Sequence, residues 1–97
     1  MAGSKRSSLS DERFRLISRA LADPRRHEIL RQIGGAKHAL PCCEMRGGLC
    51  ISAATLSHHM KELETAGLIE AVREGKFVSY SLRRDVLRAY IGRLTEI

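Results

Sequence analysis

The sequence predicts a mainly α domain carrying one small β-hairpin directly before its last helix, and three observations lead there. Apolar residues recur at helical spacing in four stretches that begin near Ser10, Asp23, Ser52 and Arg84. Helix-starting or helix-stopping residues stand at the ends of the first three. One pair of β-rich runs brackets Glu74-Gly75-Lys76, which has the composition of a hairpin turn. With 97 residues the chain forms a single core and has no room for a large enzyme fold.

Met1 to Ser8 has Lys5 and Arg6 but no apolar run, so it is not read as a secretion signal. Residues 1–9 are expected to form a disordered basic arm and residues 10–97 the folded domain. Ser10 suits an N-cap, with Asp11 and Glu12 in the first turn of a helix reaching about Ala22. Phe14, Ile17 and Leu21 share one face of it while Leu16 and Ala20 lie on another, the pattern of a helix that packs on its own domain and on a partner chain. Asp23 followed by Pro24 restarts a helix, whose stripe is Ile29, Leu30 and Ile33 and whose end is Gly34-Gly35. Within Ala36 to Cys50, Pro41 and Gly47-Gly48 bracket room for a turn or two, read as a short helix in a loop. Ser52 caps the next helix, Ala53 to Ala66, with Leu56, Met60 and Leu63 on one narrow face and Gly67 at its stop. Strands follow over Leu68 to Glu74 and Phe77 to Leu82. From about Arg84 a last helix sets Val86, Leu87, Tyr90, Ile91, Leu94 and Ile97 on one broad apolar face, too wide for a small monomer to cover, and so reads as a dimer seam. Helix, helix, short helix, helix, hairpin, helix is the order of a winged helix-turn-helix.

Charge narrows the partner. Lys and Arg number 17 against 11 Asp and Glu, a net charge of +6, so a polyanion is expected, nucleic acid ahead of an acidic membrane surface. Only 4% of residues are aromatic and Trp is absent, which argues against stacking platforms for single strands and for contacts to a duplex. No run approaches the roughly 18 apolar residues of a membrane span.

On a helical wheel, the face opposite Leu56, Met60 and Leu63 carries Ser57, His58, Lys61 and Thr65, with Ser52 and Thr55 near the N-terminal end. Short hydrogen-bonding groups and a cation let a helix approach the major groove and meet base edges, while its free amides suit a phosphate. Any amphipathic helix has a polar face, so the pointer to DNA is its combination with the hairpin and the basic charge. Arg73 and Lys76 flank the hairpin tip, where a wing sets cations beside the backbone or in the minor groove. His59 falls beside the apolar stripe and is expected to make a scaffold hydrogen bond, leaving His58 to face DNA.

Three stretches, Ala22-Asp23-Pro24-Arg25-Arg26-His27-Glu28-Ile29-Leu30, Thr55-Leu56-Ser57-His58-His59-Met60-Lys61-Glu62-Leu63 and Ala66-Gly67-Leu68-Ile69, resemble the ArsR/SmtB family of bacterial repressors. The resemblance spans residues 12 to 94 and includes the Arg73-Glu74-Gly75-Lys76 wing. It implies a homodimer that represses an operator until an inducer binds, with the first and last helices as the interface. Carried over by position, Ser52, Thr55, Ser57, His58 and Lys61 would read the operator and Arg73 and Lys76 would form the wing. The interface would use Phe14, Ile17, Leu21, Leu87, Tyr90, Ile91 and Leu94. The sequence departs from the family at Pro41 to Cys50, where many relatives have a regular helix, often opening on a Cys-x-Cys metal motif.

Cys42 and Cys43 are adjacent and Cys50 returns after Gly47-Gly48, so three thiols could converge on one centre. Three soft thiolates suit a thiophilic ion such as arsenite and are one ligand short of a closed zinc site. Relatives with adjacent cysteines include arsenite sensors, which favours that reading by resemblance. Two others stand beside it: a thiol switch pairing Cys50 with Cys42 or Cys43, and burial of the cysteines as small hydrophobes. The zinc or nickel site of some relatives needs histidine on the last helix, which offers only Asp85 and Glu96. His27 and His38 read as lone surface and loop groups. DNA binding itself calls for no cofactor, and the expected compartment is the reducing cytoplasm. The rival functions are a small protein- or RNA-interaction module and, more remotely, a Cys/His enzyme, for which no substrate pocket or orienting group can be named.

Overall fold

The computed structural model describes residues 9–36, 39–41 and 52–97. Its elements run α1 (Asp11–Ala20), α2 (Pro24–Gly35), β1 (Leu40–Pro41), α3 (Ala53–Thr65), β2 (Ile69–Glu74), β3 (Phe77–Leu82) and α4 (Arg84–Thr95). The sequence-level signals for helix starts are realised as hydrogen bonds. Ser10 Oγ accepts from the Arg13 amide, an Asp23 carboxylate oxygen accepts from Arg25, and Ser52 Oγ accepts from Thr55. Each satisfies an amide that the first helical turn leaves without a partner. The bond from Arg25 also holds the Asp23 carboxyl below the usual carboxylate range.

The core is built from the inner faces of α1, α2 and α3 and the start of the hairpin. Ile17, Ile29, Leu56, Met60, Leu63 and Leu68 are its largest fully buried side chains. Leu16, Leu21, Tyr80, Leu82, Val86 and Leu87 pack around them. At the end of α3 the Leu68 amide donates to the Leu63 carbonyl at 3.1 Å and the Gly67 amide to Glu64 at 2.9 Å. With Gly67 at φ +82°, this is a Schellman turn, and its two leucines supply the apolar contact that accompanies the motif. It turns the chain directly from α3 into β2. The β2–β3 register sets Glu74 opposite Phe77, so the hairpin loop is Gly75-Lys76, and Gly75 takes the positive φ that a tight primed turn needs at its first position.

Several expectations are corrected. α1 stops at Ala20, two residues short of the expected end, with Leu21 as its cap. Leu9, assigned by pattern to the arm, packs against the core, and its carbonyl accepts from Arg93. α2 does end at Gly35, but neither Gly34 nor Gly35 takes the positive φ of a glycine cap; a Cβ at Gly34 would stand 3.1 Å from Leu82 Cδ2, so glycine there serves close approach to the sheet. Leu40 and Pro41, expected near a short helix, are a strand paired antiparallel with Tyr80 and Ser79, making the sheet three-stranded in the order β1-β3-β2. Two residues are too few to show period-2 alternation, and proline suits an edge strand. The short-helix expectation for 42–50, the arm over 1–8, His38, and Cys42, Cys43 and Cys50 lie outside the described residues.

Candidate nucleic-acid interface

α3 is amphipathic in the sense the sequence indicates. Leu56, His59, Met60 and Leu63 are buried, while Ser52, Ala53, Ala54, Ser57, His58 and Lys61 are exposed. Ser52 and Thr55 are joined to each other, the Ser52 hydroxyl lying 2.9 Å from Thr55 Oγ1, so both are ordered at the helix start. The exposed alanines of the first turn escape a search for polar groups. Their small size lets the backbone approach a groove closely, and their position just after the cap is the signal that could have found them.

The tertiary structure brings part of the expected set together. Ser57, Lys61 and Thr65 from α3 and Arg73 from β2 line one groove of about 430 Å³ between helix and hairpin. The buried Met60, Tyr80 and the exposed Glu64 complete the lining, and sequence reasoning assigned neither Tyr80 nor Glu64 a role there. Strand pairing explains the convergence: Ala71 and Arg73 share a sheet face with their partners Tyr80 and Val78, and this face continues from the buried Ile69. Lys61 and Arg73 make no ion pair among the described residues, and neither does Lys76 in the hairpin loop. Their charge is not spent on an internal carboxylate, in contrast to Arg31 with Glu28 and Arg93 with Asp11.

The other flank of α3 faces the start of α2. Arg26 lies 3.9 Å from both Asp23 and Glu62, which ties the two helices together loosely. His58 is exposed with its ring 5.9 Å from that of His59. His59 is 4% exposed, yet neither ring nitrogen has a hydrogen-bond partner among the described residues, so the expected scaffold hydrogen bond is not made. Burial pushes its pKa below the ordinary value of 6.5, against the pull of the Asp23 carboxylate.

The expected interface residues divide. Ile17 is 0% exposed and belongs wholly to the core, which leaves it no surface for a partner. Phe14 and Tyr90 spend their rings on each other, 5.1 Å apart, with Arg93 over Phe14 at 4.4 Å and the Tyr90 hydroxyl 2.9 Å from that of Ser18. Leu21 and Leu87 are half-buried against the core. Ile91 and Leu94 remain 49% and 41% exposed, and Ile97 projects beyond the helix end.

Among the described residues no three His, Cys, Asp or Glu side chains gather into a metal-sized cluster, and no helix is long and apolar enough to cross a membrane. A capped helix with a polar, close-approach face, joined through a Schellman turn to a hairpin that sets an unpaired arginine beside it, defines a winged helix-turn-helix DNA-binding protein. No family model matches the chain. The transcriptional repressor SdpR of Bacillus subtilis (strain 168) is 32% identical over 76 residues, which cover 78% of this chain and 82% of that protein. The structure of an ArsR-like transcriptional regulator from Rhodococcus sp. RHA1 superposes with a TM-score of 0.76 at 25% identity, over 88% of this chain and 78% of that one. A homodimeric winged helix-turn-helix DNA-binding domain from Mycobacterium bovis gives 0.68 at 26% identity, over 88% and 78% of the two chains. The chain belongs to the ArsR family of winged helix-turn-helix transcriptional repressors, a family of DNA-binding regulators and not of enzymes.

Proposed function

We propose that this chain is a cytoplasmic homodimer that represses by holding operator DNA, and that a thiophilic metalloid such as arsenite, bound by Cys42, Cys43 and Cys50, releases it. α3 enters the major groove with Ser52, Thr55, Ser57, His58 and Lys61 toward the bases. Arg73 and Lys76 meet the backbone or the minor groove.

The observation that carries the DNA reading is the groove shared by Lys61 and Arg73, two cations from different elements with no internal partner among the described residues. Dimerisation is supported by the exposed Ile91 and Leu94, which continue the line of Leu87 along α4, and by the homodimeric relative. Two α3 helices related by a two-fold axis require half-sites about 34 Å apart, so the operator is an inverted repeat. The metalloid reading rests on the chemistry of three soft thiols close together in the sequence. Ligation there would tighten the segment leading into α3 and favour a dimer that fits the operator less well.

The test is fluorescence anisotropy of the reduced protein on DNA from upstream of its own gene, with a salt series and with added arsenite. Binding that weakens steeply with salt, and loses about 1–3 kcal/mol in Lys61→Ala, is the expected result. Unchanged affinity in Lys61→Ala removes that residue from the site. Release by arsenite that disappears in the Cys42→Ser, Cys43→Ser double variant supports metalloid sensing. Indifference to arsenite overturns it and leaves a thiol switch or a cysteine-independent repressor.

A further inference from the structure

Away from the α3–hairpin groove, and sharing no residue with it, lies a hollow of about 290 Å³ where four elements meet. Its floor is apolar: Leu21 from the end of α1, Leu30 from α2, Leu82 from the end of β3 and Leu87 from α4. Its rim is cationic. Arg31 stands there, but both of its hydrogen bonds go to the two oxygens of Glu28, so that charge is already balanced. Arg84 is different. One of its terminal N–H groups donates to the Gly34 carbonyl at 2.7 Å, which fixes the guanidinium at the mouth, and it has no carboxylate partner among the described residues. The nearby Asp85 is taken by Arg83. His27 adds a third nitrogen-bearing group to the same rim.

A guanidinium anchored through one N–H keeps the rest of its planar fork for another acceptor, and that fork matches a carboxylate. Four leucines offer an acid's tail nothing polar. The volume is at the low end for small-molecule sites, enough for one ring or a short branched chain. We propose that this hollow binds a small apolar monocarboxylate, its tail against Leu21, Leu30, Leu82 and Leu87 and its carboxylate on Arg84. Its described lining holds no cysteine, and it gives the protein a second way to sense a ligand. Its walls join α4 to the root of the hairpin, since Arg83, at the start of α4, donates its amide to the Leu68 carbonyl at 2.8 Å. An occupant there is placed to alter how the wing sits on α4.

Sodium benzoate is the probe, titrated into the full chain and followed by leucine methyl NMR, with benzamide as the uncharged control. Saturable shifts at the four leucines, and binding about tenfold weaker for benzamide and for Arg84→Met, are expected. Arg88→Met, which removes an exposed α4 cation outside the hollow, keeps the wild-type affinity. Should Arg84→Met fail to fold, Leu87→Trp, which fills the hollow, must abolish the shifts in a folded protein. No saturable shift, equal binding of benzamide, or full binding by folded Arg84→Met overturns the proposal. Operator anisotropy on the same samples separates the two readings: loss of benzoate binding with DNA binding intact concerns only this hollow.

Discussion

Replacing Gly67 by alanine tests how the recognition helix is ended. Gly67 sits at φ +82°, where a Cβ approaches the following carbonyl and costs about 1–2 kcal/mol. That same Cβ would stand 2.7 Å from Nη1 of Arg13, a contact that must be relieved. Arg13 is flexible and can withdraw, but its Nη1 donates at 2.9 Å to the Thr65 carbonyl, one of the acceptors that the end of α3 leaves open. Losing that exposed hydrogen bond costs about 1 kcal/mol. The sum is about 2–3 kcal/mol for Gly67→Ala, measured by urea denaturation at one fixed protein concentration. Arg13→Ala alone should cost about 1 kcal/mol, and in its background Gly67→Ala should cost only the backbone part, about 1–2 kcal/mol. The pair is therefore non-additive by about 1 kcal/mol. A cost below about 0.5 kcal/mol, or an equal cost in both backgrounds, refutes the reasoning.

Further outcomes are expected. Ser52→Ala removes the α3 cap and costs about 1 kcal/mol in the same assay, because the Thr55 amide loses its acceptor. His59→Leu removes two buried ring nitrogens without partners and stabilises the fold at pH 7 by about 1 kcal/mol. Because burial lowers the folded-state pKa of His59, the unfolded chain takes up the proton first; wild-type stability therefore falls as pH drops below 6.5, and denaturation midpoints across that range should show this slope reduced in His59→Leu. Tyr90→Phe keeps the ring against Phe14 but breaks the bond to Ser18, costing about 1 kcal/mol of stability without moving the mass measured by light scattering. Ile91→Glu with Leu94→Glu charges the exposed face of α4 and shifts the protein to monomer in sedimentation, with operator binding lost alongside.

Local chemistry was enough to read much of this protein. Ser10, Asp23-Pro24 and Ser52 announce helix starts because an orphan amide needs an acceptor nearby, and Gly67 and Gly75 mark positive φ because only glycine adopts it without cost. The stripe Leu56, Met60, Leu63 orients α3, and with it the outward direction of Ser57, His58 and Lys61, since burying one face of a helix exposes the other. What depends on distant partners was beyond that reach. No local pattern tells that Leu40-Pro41 adds to β3, that Gly34 is small for the sake of Leu82, or that Arg13 reaches across 52 positions to close α3. Periodicity cannot tell whether an apolar face meets its own core or another chain, so Ile17 read as interface while the structure seals it inside, and Ile91 and Leu94 read the same way yet stay exposed. The groove that unites Lys61 with Arg73, and the hollow beside Arg84, exist only because separate elements pack at particular angles. The elements, their caps and the residue types offered to DNA are legible in the chain alone, because they follow from interactions within a turn or two. Which of those residues share a surface is settled by packing, because it depends on contacts between residues far apart in the chain.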